Sequence, residues 1–251
     1  MGYEPTSRPI WNEAFFPLDW IALHASPVYY GFGVPRGNGE PVVLVPGFLG
    51  SDRYLTEMHL WLRRIGYHPY FSGIGRNVDC PELLTQRLLV TVQNAYEETQ
   101  QPVTIIGHSL GGMLARSAGH RAPLAVKQVI TMASPFRSVR AHPLVLSAAN
   151  FVRANIVRER RHRLEVSSTC FTPDCGCGFV TTLKQDSDAG NHHSGSFERG
   201  AIYSKCDGVV DWQSCIEDEP EFNHEVTATH IGMAFNPEVY RTVANLLAGG
   251  V

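Results

Sequence analysis

A serine between two glycines is the strongest chemical signal in the sequence. Ser109 stands in the run Gly-His-Ser-Leu-Gly at 107–111, which follows the β-branched segment 103–106 and precedes a helical pattern. A strand, a sharp turn and a helix in this order lift a serine hydroxyl out of a sheet. Such a turn strains the serine backbone and leaves no room for side chains at the two glycines. The pattern predicts that Ser109 is a nucleophile, although the run alone also fits an ordinary glycine-rich turn.

A serine hydroxyl is a poor nucleophile at neutral pH, so it needs a histidine base that is oriented by an acid. On folds with this kind of turn, the three groups occur in the chain order serine, acid, histidine. Asp207 and His230 meet that order, and each follows a short predicted strand, at 201–204 and 225–227. Because the carboxyl ends of parallel strands meet at one edge of a sheet, we expect these side chains to converge on Ser109.

Three other residues compete for these roles. Asp211 is a second carboxylate close to Asp207, which with the glycine after it also fits a simple turn. His224 precedes the last predicted strand and is expected at the wrong end of the sheet. His108 is next to the nucleophile, but neighbouring residues on a turn point in different directions. We therefore expect His108 to pack or to line the substrate pocket.

The loop at 46–51 follows a buried apolar strand at 41–45 and contains two glycines. A loop of this kind, upstream of the serine turn, is where a second amide of an oxyanion hole is expected. We assign that amide to Phe48 and its partner to Leu110, although an ordinary strand-to-helix loop has the same composition. Leu49 and Ile231 are predicted to line the pocket together with His108.

Buried apolar strands alternate with helical patterns through residues 41–135. Strands are predicted at 41–45, 67–72, 103–106 and 126–132, and helices at 52–65, 81–98 and 110–119. This alternation is typical of a mostly parallel sheet that is covered by helices on both faces. A helix at 237–248 closes a single α/β domain that spans residues 1–251.

The alternation breaks between residues 136 and 200. A helix is predicted at 141–156, and a dense charge run at 153–163 is typical of a solvated helix face. An insertion of this size in a compact α/β domain is most often a cap or lid over the site. We therefore expect 136–200 to form a cap or lid within the domain.

The composition limits the partners. The chain has 251 residues, 43% of them hydrophobic and 18% charged, and its formal net charge is -3. These values fit a globular domain without a basic patch, so nucleic acid is not an expected partner. No apolar run reaches the length of a membrane span, and the N-terminus lacks a signal-peptide pattern. We expect a cytoplasmic protein, or a secreted one if its cysteines are bridged, and neither a cofactor nor a metal ion.

The six cysteines leave several alternatives open. Cys170, Cys175 and Cys177 form a cluster that favours a local disulfide. A zinc site completed by the histidines at 192–193 is a weaker interpretation, because the spacing matches no common zinc pattern. Cys206 and Cys215 are a second plausible pair. If no bridge forms, these residues are buried thiols.

Aromatic residues and prolines are frequent in the first 39 residues. A short amphipathic helix is predicted at 14–23. We favour an interpretation in which this segment packs over the core. Transient contact with a lipid surface or with a partner is the alternative.

Taken together, five segments resemble the α/β-hydrolase superfamily, and within it bacterial lipases and esterases. They are Val-Pro-Gly-Phe-Leu-Gly-Ser-Asp at 45–52, Gly-Arg-Asn at 75–77, Gly-His-Ser-Leu-Gly-Gly at 107–112, the run at 203–212 and His-Ile-Gly-Met at 230–233. The resemblance spans residues 40–248. It implies an α/β-hydrolase fold and hydrolysis of carboxylic esters through an acyl-enzyme. Acyl transfer at the same site, or a ligand-binding protein without catalysis, are the alternatives.

Overall fold

The computed structural model describes residues 3–5, 9–159, 175–188 and 197–249. Its strands are β1 (Tyr3–Pro5), β2 (Pro41–Val45), β3 (His68–Phe71), β4 (Val103–His108), β5 (Val126–Met132), β6 (Val139–Ala141), β7 (Glu198–Tyr203) and β8 (Asn223–Glu225). Its helices are α1 (Phe16–Ala25), α2 (Thr56–Arg64), α3 (Pro81–Thr99), α4 (Leu110–Arg121), α5 (Pro143–Glu159), α6 (Gly178–Asp188) and α7 (Pro237–Leu247). The strand and helix alternation predicted for 41–135 is therefore present.

Six strands form a central sheet in the order β3-β2-β4-β5-β7-β8, and every neighbouring pair is parallel. β4 lies inside the sheet, where Ile106 pairs with Leu44 on one side and with Ile130 on the other. All residues of β2 and β4 are buried, which explains why these strands read as unbroken apolar runs.

Helices cover both faces of the sheet. Alternate residues of β2 show the two layers: Val42 and Leu44 pack with α1, α2 and α7, whereas Val43 and Val45 pack with α3, α4 and α6. Side chains alternate between the faces of a strand, so one apolar strand supplies both cores. The predicted fold class, a mostly parallel sheet with helices on both faces, is confirmed.

The segment between β5 and β7 joins two strands that are direct neighbours in the sheet. It contains β6, which pairs with β1 in a separate two-stranded parallel sheet, and the helices α5 and α6. The helix predicted at 141–156 corresponds to α5, whereas β6 and α6 were not predicted. The role of 136–200 as a cap or lid stays a prediction.

The N-terminal segment contains a helix close to the predicted position. A 3-10 helix at Ile10–Phe15 leads into α1, in which Leu23 is the buried apolar residue. Large exposed apolar side chains belong to Trp11, Phe15, Phe16, Leu18, Trp20 and Ile21. The predicted helix exists and packs on the core through Leu23, but its outer face is apolar, so the helix is not amphipathic. Among the described residues, no helix has both the length and the apolar character needed to cross a bilayer.

The Cys206–Cys215 disulfide, one of the alternatives for the cysteines, is contradicted, and both thiols are free. Cys206 is exposed, whereas Cys215 is buried and its Sγ lies 3.6 Å from the carbonyl oxygen of Asp211. Cys175 and Cys177 are also free. Cys170 and the histidines at 192–193 lie outside the described residues. Within the described ranges, no cluster of three or more His, Cys, Asp or Glu residues could hold a metal ion.

Candidate active site

Ser109 lies at the turn between β4 and α4 in a strained conformation, with φ 54° and ψ -124°. A positive φ is unfavourable for a residue with a Cβ atom and persists only where the surroundings enforce it. The amide of Ser109 donates to the carbonyl of Met132, 2.8 Å away, and its own carbonyl accepts from Gly112 N at 3.0 Å. The strand, turn and helix predicted around Ser109 are all observed.

Two glycines make this turn possible because the backbone approaches them closely. A Cβ atom at Gly107 would lie 2.5 Å from the carbonyl oxygen of Gly111, and one at Gly111 would lie 2.5 Å from the carbonyl oxygen of Pro46. Both distances are far below a van der Waals contact. The turn therefore cannot accommodate a side chain at either position without moving the backbone.

Asp207 and His230 form a buried hydrogen-bonded pair. The distance between His230 Nδ1 and Asp207 Oδ2 is 2.7 Å. The second carboxylate oxygen, Oδ1, accepts from the amides of Val209 at 2.7 Å and Val210 at 2.8 Å. Because an ionised carboxylate only accepts, Nδ1 carries the hydrogen and Nε2 is left with a free lone pair. This is the tautomer that a general base requires.

The environment of His230 favours its charged form. Burial lowers the pKa of the imidazole, but the charge and hydrogen bond of Asp207, together with the charge of Glu13, outweigh burial and raise that pKa above its ordinary value. A nearby negative charge stabilises the imidazolium that forms when the ring takes up a proton. The pair is therefore equipped to accept a proton from a nearby hydroxyl.

The competing residues have other surroundings. The Asp211 carboxylate caps the 3-10 helix Trp212–Ser214, accepting from Gln213 N at 3.3 Å, and lies 3.8 Å from Arg140. His224 lies within β8, because this strand begins at Asn223, two residues earlier than predicted. Burial lowers the pKa of His224. The structure thus brings His230 together with Asp207 rather than with Asp211.

His108 is buried behind His230. Its Nε2 lies 2.9 Å from the carbonyl oxygen of His230 and must donate to it, and the two ring centres are 4.8 Å apart. Burial and the neighbouring His230 lower the pKa of His108 to about 3, so the ring is neutral at ordinary pH. His108 therefore supports the backbone of His230 and does not line the cavity described next.

An apolar cavity of about 150 Å³ lies beside Ser109. Its lining combines Phe48 and Leu110 with apolar side chains of α5 and α6, such as Leu146 and Val180. Of the predicted pocket residues, His108 lies behind His230, Leu49 is 44% exposed and Ile231 is 36% exposed, and none of them lines this cavity. Proximity in sequence to Phe48 and His230 did not fix the direction of these side chains.

The loop at 46–51 is held by Asn77. The buried Asn77 side chain donates to the carbonyl of Pro46 at 2.8 Å, and its backbone exchanges hydrogen bonds with Leu49 and Gly50 at 3.0 and 2.8 Å. In the part of the chain that the structure describes, the amides of Phe48 and Leu110 donate to no backbone carbonyl. Both amides are therefore free to bind a substrate oxygen.

Two residues that the sequence did not single out contact the backbone around His230. The Tyr54 hydroxyl donates to the carbonyl of Ile231 at 2.6 Å. The Glu13 carboxylate accepts from the amides of His230 and Ile231 at 3.0 and 2.8 Å. Neither residue belongs to a motif, so no signal in the sequence identified them.

Parts of the chain are similar in sequence to known proteins. The family described as "PGAP1-like alpha/beta domain" matches residues 76–157. A triacylglycerol lipase of Burkholderia plantarii is 29% identical over 139 residues, which cover 51% of this chain and 39% of that lipase. A triacylglycerol lipase of Pseudarthrobacter phenanthrenivorans is 30% identical over 106 residues, which cover 39% of this chain and 33% of that lipase. The chain thus matches well under half the length of either lipase.

Similarity to solved structures extends over most of the chain. The mature form of a Bacillus licheniformis lipase superimposes with a TM-score of 0.57 at 16% identity, covering 86% of this chain and 94% of the lipase. An Aspergillus fumigatus lipase superimposes with a TM-score of 0.55 at 16% identity, covering 86% of this chain and 54% of that lipase. This likeness shows that the chain has the α/β-hydrolase fold, as the resemblance of its motifs implied.

Proposed function

We propose that this protein is a serine hydrolase of carboxylic esters, with Ser109, His230 and Asp207 as its catalytic triad. The observation that carries this proposal is the buried 2.7 Å hydrogen bond between Asp207 and His230, together with the strained turn that presents Ser109. The similarity to two triacylglycerol lipases supports the same activity. A protein that only binds a ligand would need neither feature.

The proposed reaction begins when Ser109 Oγ attacks the ester carbonyl carbon and His230 Nε2 takes the hydroxyl proton. The amides of Phe48 and Leu110 stabilise the oxyanion of the tetrahedral intermediate. His230 then returns the proton to the leaving alcohol, and an acyl-enzyme remains. Water attacks this acyl-enzyme with His230 again as base, which releases the carboxylic acid. Throughout, Asp207 holds the ring tautomer and stabilises the imidazolium.

The size of the cavity favours short acyl groups. A cavity of about 150 Å³ lined by apolar side chains is comparable to one that binds benzene. An acyl chain of about six carbons would fill such a volume. We therefore propose that this cavity binds the acyl chain and that the alcohol part of the ester extends away from it.

The experiment that tests this function is hydrolysis of p-nitrophenyl esters from acetate to palmitate by the wild type and by Ser109→Ala. The wild type should turn over these esters with an optimum near hexanoate, and the variant should lose activity by about 10⁴-fold or more. Covalent labelling of the wild type by a fluorophosphonate, absent in the variant, would show that Ser109 is the reacting group.

Three outcomes would contradict the proposal. If the wild type hydrolyses no ester of any chain length and is not labelled, the hydrolase function is wrong. If an added alcohol acceptor is acylated in preference to water, the protein is an acyltransferase that uses the same site. Equal turnover by the wild type and Ser109→Ala would remove Ser109 from the mechanism.

We also propose transient contact of the N-terminal segment with a lipid surface. The supporting observation is the group of exposed apolar side chains around α1, among them Trp11, Leu18 and Ile21. Aromatic and aliphatic side chains on the surface of a helix are typical of binding at a bilayer interface. Replacing Leu18 and Ile21 with serine should weaken sedimentation with phosphatidylcholine vesicles and leave hydrolysis of soluble esters unchanged; equal sedimentation would contradict the proposed contact.

A further inference from the structure

A buried carboxylate from the N-terminal segment lies between the two loops that carry the acid and the base. Glu13 is only 7% exposed. Its Oε1 accepts from the amides of Gly208 at 2.9 Å and His230 at 3.0 Å, and its Oε2 accepts from the amide of Ile231 at 2.8 Å. One side chain thus joins the backbone next to Asp207 to the backbone of His230 itself.

We propose that Glu13 is a positioning residue that ties the Asp207 loop (residues 204–211) to the His230 loop (residues 226–231) and so sets the orientation of His230. This inference rests on the hydrolase function proposed above. Glu13 forms its three bonds with backbone amides and is separated from the bonded residues by 195 to 218 positions. Its role is to hold the histidine for Ser109, and it touches no reacting atom.

The hydrogen bonds explain why a carboxylate is required at this position. Burial of an ionised group is costly unless hydrogen bonds replace its hydration. Among the described residues, Glu13 meets this requirement through three N–H donors and not through a cation. A glutamine has the same shape, but its amide nitrogen cannot accept, so at least one of the three donors would lose its partner.

The close approach of the N-terminal segment also explains a glycine beside Asp207. A Cβ atom at Gly208 would lie 2.8 Å from the carbonyl oxygen of Pro9 and 3.1 Å from Glu13 Oε1. Gly208 therefore lets the segment reach the loop. An alanine at this position would push Glu13 away from its donors without removing any charge.

Glu13 also acts on His230 through its charge. The groups that face His230 are Asp207, whose carboxylate is hydrogen-bonded to the ring, and His108, whose ring is neutral. Glu13 adds a second negative charge, and Tyr54, whose pKa is raised by burial, packs near both carboxylates as an uncharged group. Removal of the Glu13 charge should therefore lower the pKa of His230.

The test compares Glu13→Gln and Glu13→Asp with the wild type in hydrolysis of a soluble p-nitrophenyl ester. For Glu13→Gln we expect kcat to fall by about 10- to 100-fold, because a hydrogen bond to a charged group is lost, with KM almost unchanged. The acidic limb of its kcat/KM profile should move to lower pH. Glu13→Asp keeps the charge but is one methylene shorter. The acidic limb of its kcat/KM profile should therefore stay at the wild-type pH, while kcat should be lower than that of the wild type.

Glu57→Gln is the matched control. Glu57 accepts a hydrogen bond from Tyr29 and so helps to dock the same N-terminal region, but among the described residues it forms no hydrogen bond or ion pair with either loop. This variant should lower the melting temperature and leave kcat and the pH profile unchanged. If it reduces kcat as much as Glu13→Gln does, the effect is general loosening of the segment and the proposal is wrong.

Two further measurements test the proposal if Glu13→Gln does not fold or if the wild type has no esterase activity. If Glu13→Gln does not fold, Gly208→Ala tests the same contact and should lower kcat with little change in KM. If the wild type has no esterase activity, the function is wrong, but the pKa of the His230 ring, followed by NMR, still tests the placement of Glu13. An unchanged ring pKa in Glu13→Gln, or an unchanged kcat in an active enzyme, would overturn the inference.

Discussion

Ser109 and His230 are held in position by contacts of different kinds. The turn at Ser109 depends on two glycines within two positions of it, Gly107 and Gly111, although the backbone that packs against Gly111 belongs to β2 and the loop after it. The backbone at His230 and Ile231 is held by side chains from distant parts of the chain: Glu13 accepts from the His230 amide and Tyr54 donates to the Ile231 carbonyl. One half of the site is therefore encoded locally, whereas the other half depends on the tertiary fold.

This difference has a consequence for the effect of substitutions. A change in the serine turn should act on folding and catalysis together, because the strained backbone is part of the junction between β4 and α4. A substitution around His230 removes one of several contacts that hold its loop. Each such substitution should therefore reduce activity and stability less, and should act on the orientation or the pKa of His230.

Among substitutions around His230, Asp207→Asn should have the largest effect on activity. The asparagine would present either a donor or a neutral acceptor to His230 Nδ1 and would no longer stabilise the imidazolium. We expect kcat to fall by about 10⁴-fold, as is typical when the acid of a triad is converted to its amide. Initial rates on a p-nitrophenyl ester, with circular dichroism to verify folding, measure this effect.

Asp211→Asn is the control for this substitution. Asp211 caps the 3-10 helix Trp212–Ser214 and makes no hydrogen bond with His230 in the described structure. Its substitution should change the rate by no more than a few-fold, because a helix cap and an ion pair outside the site each contribute about 1 kcal/mol to stability and not to the reaction. A larger loss for Asp211→Asn than for Asp207→Asn would reverse the assignment of the acid.

In the turn at Ser109, Gly107→Ala should lower the free energy of unfolding by about 3 kcal/mol, since the added Cβ atom forces the backbone of Gly111 to move. Activity should be lost in the same variant. Denaturant unfolding measures the first effect. Gly176→Ala is the control, because a Cβ atom there meets no atom within 4 Å. Equal stability of the two variants would show that the turn tolerates a side chain.

The same contrast explains what the sequence could predict. The turn at Ser109 and the buried strands were readable because the residues that form them are contiguous. The chain order of Asp207 and His230 was readable as well. The sequence could not predict where the side chains of Leu49 and Ile231 point, that Cys206 and Cys215 are not bonded, or what Glu13 contacts. Each of these features depends on how distant segments pack.

A smaller effect is expected for Tyr54→Phe. This substitution removes the hydroxyl that donates to the carbonyl of Ile231 and keeps the ring that packs against His108. The free energy of unfolding should fall by about 1 kcal/mol, and kcat by a few-fold. Tyr30→Phe removes a comparable bond to the carbonyl of His24, away from the site, and should leave kcat unchanged. Equal kcat values for Tyr54→Phe and the wild type would mean that this support does not orient the base.

The smallest effect is expected for His224→Gln, which serves to identify the base. A base must be neutral to accept the serine proton, so activity is lost as the pH falls through its pKa. Because the pKa of His230 is raised, the acidic limb of the wild type should lie above 6.5, the ordinary value for histidine. The pKa of His224 is lowered, so a limb set by His224 would lie below that value. A kcat/KM profile that is unchanged by His224→Gln supports His230, whereas a limb that disappears in this variant would assign the base to His224.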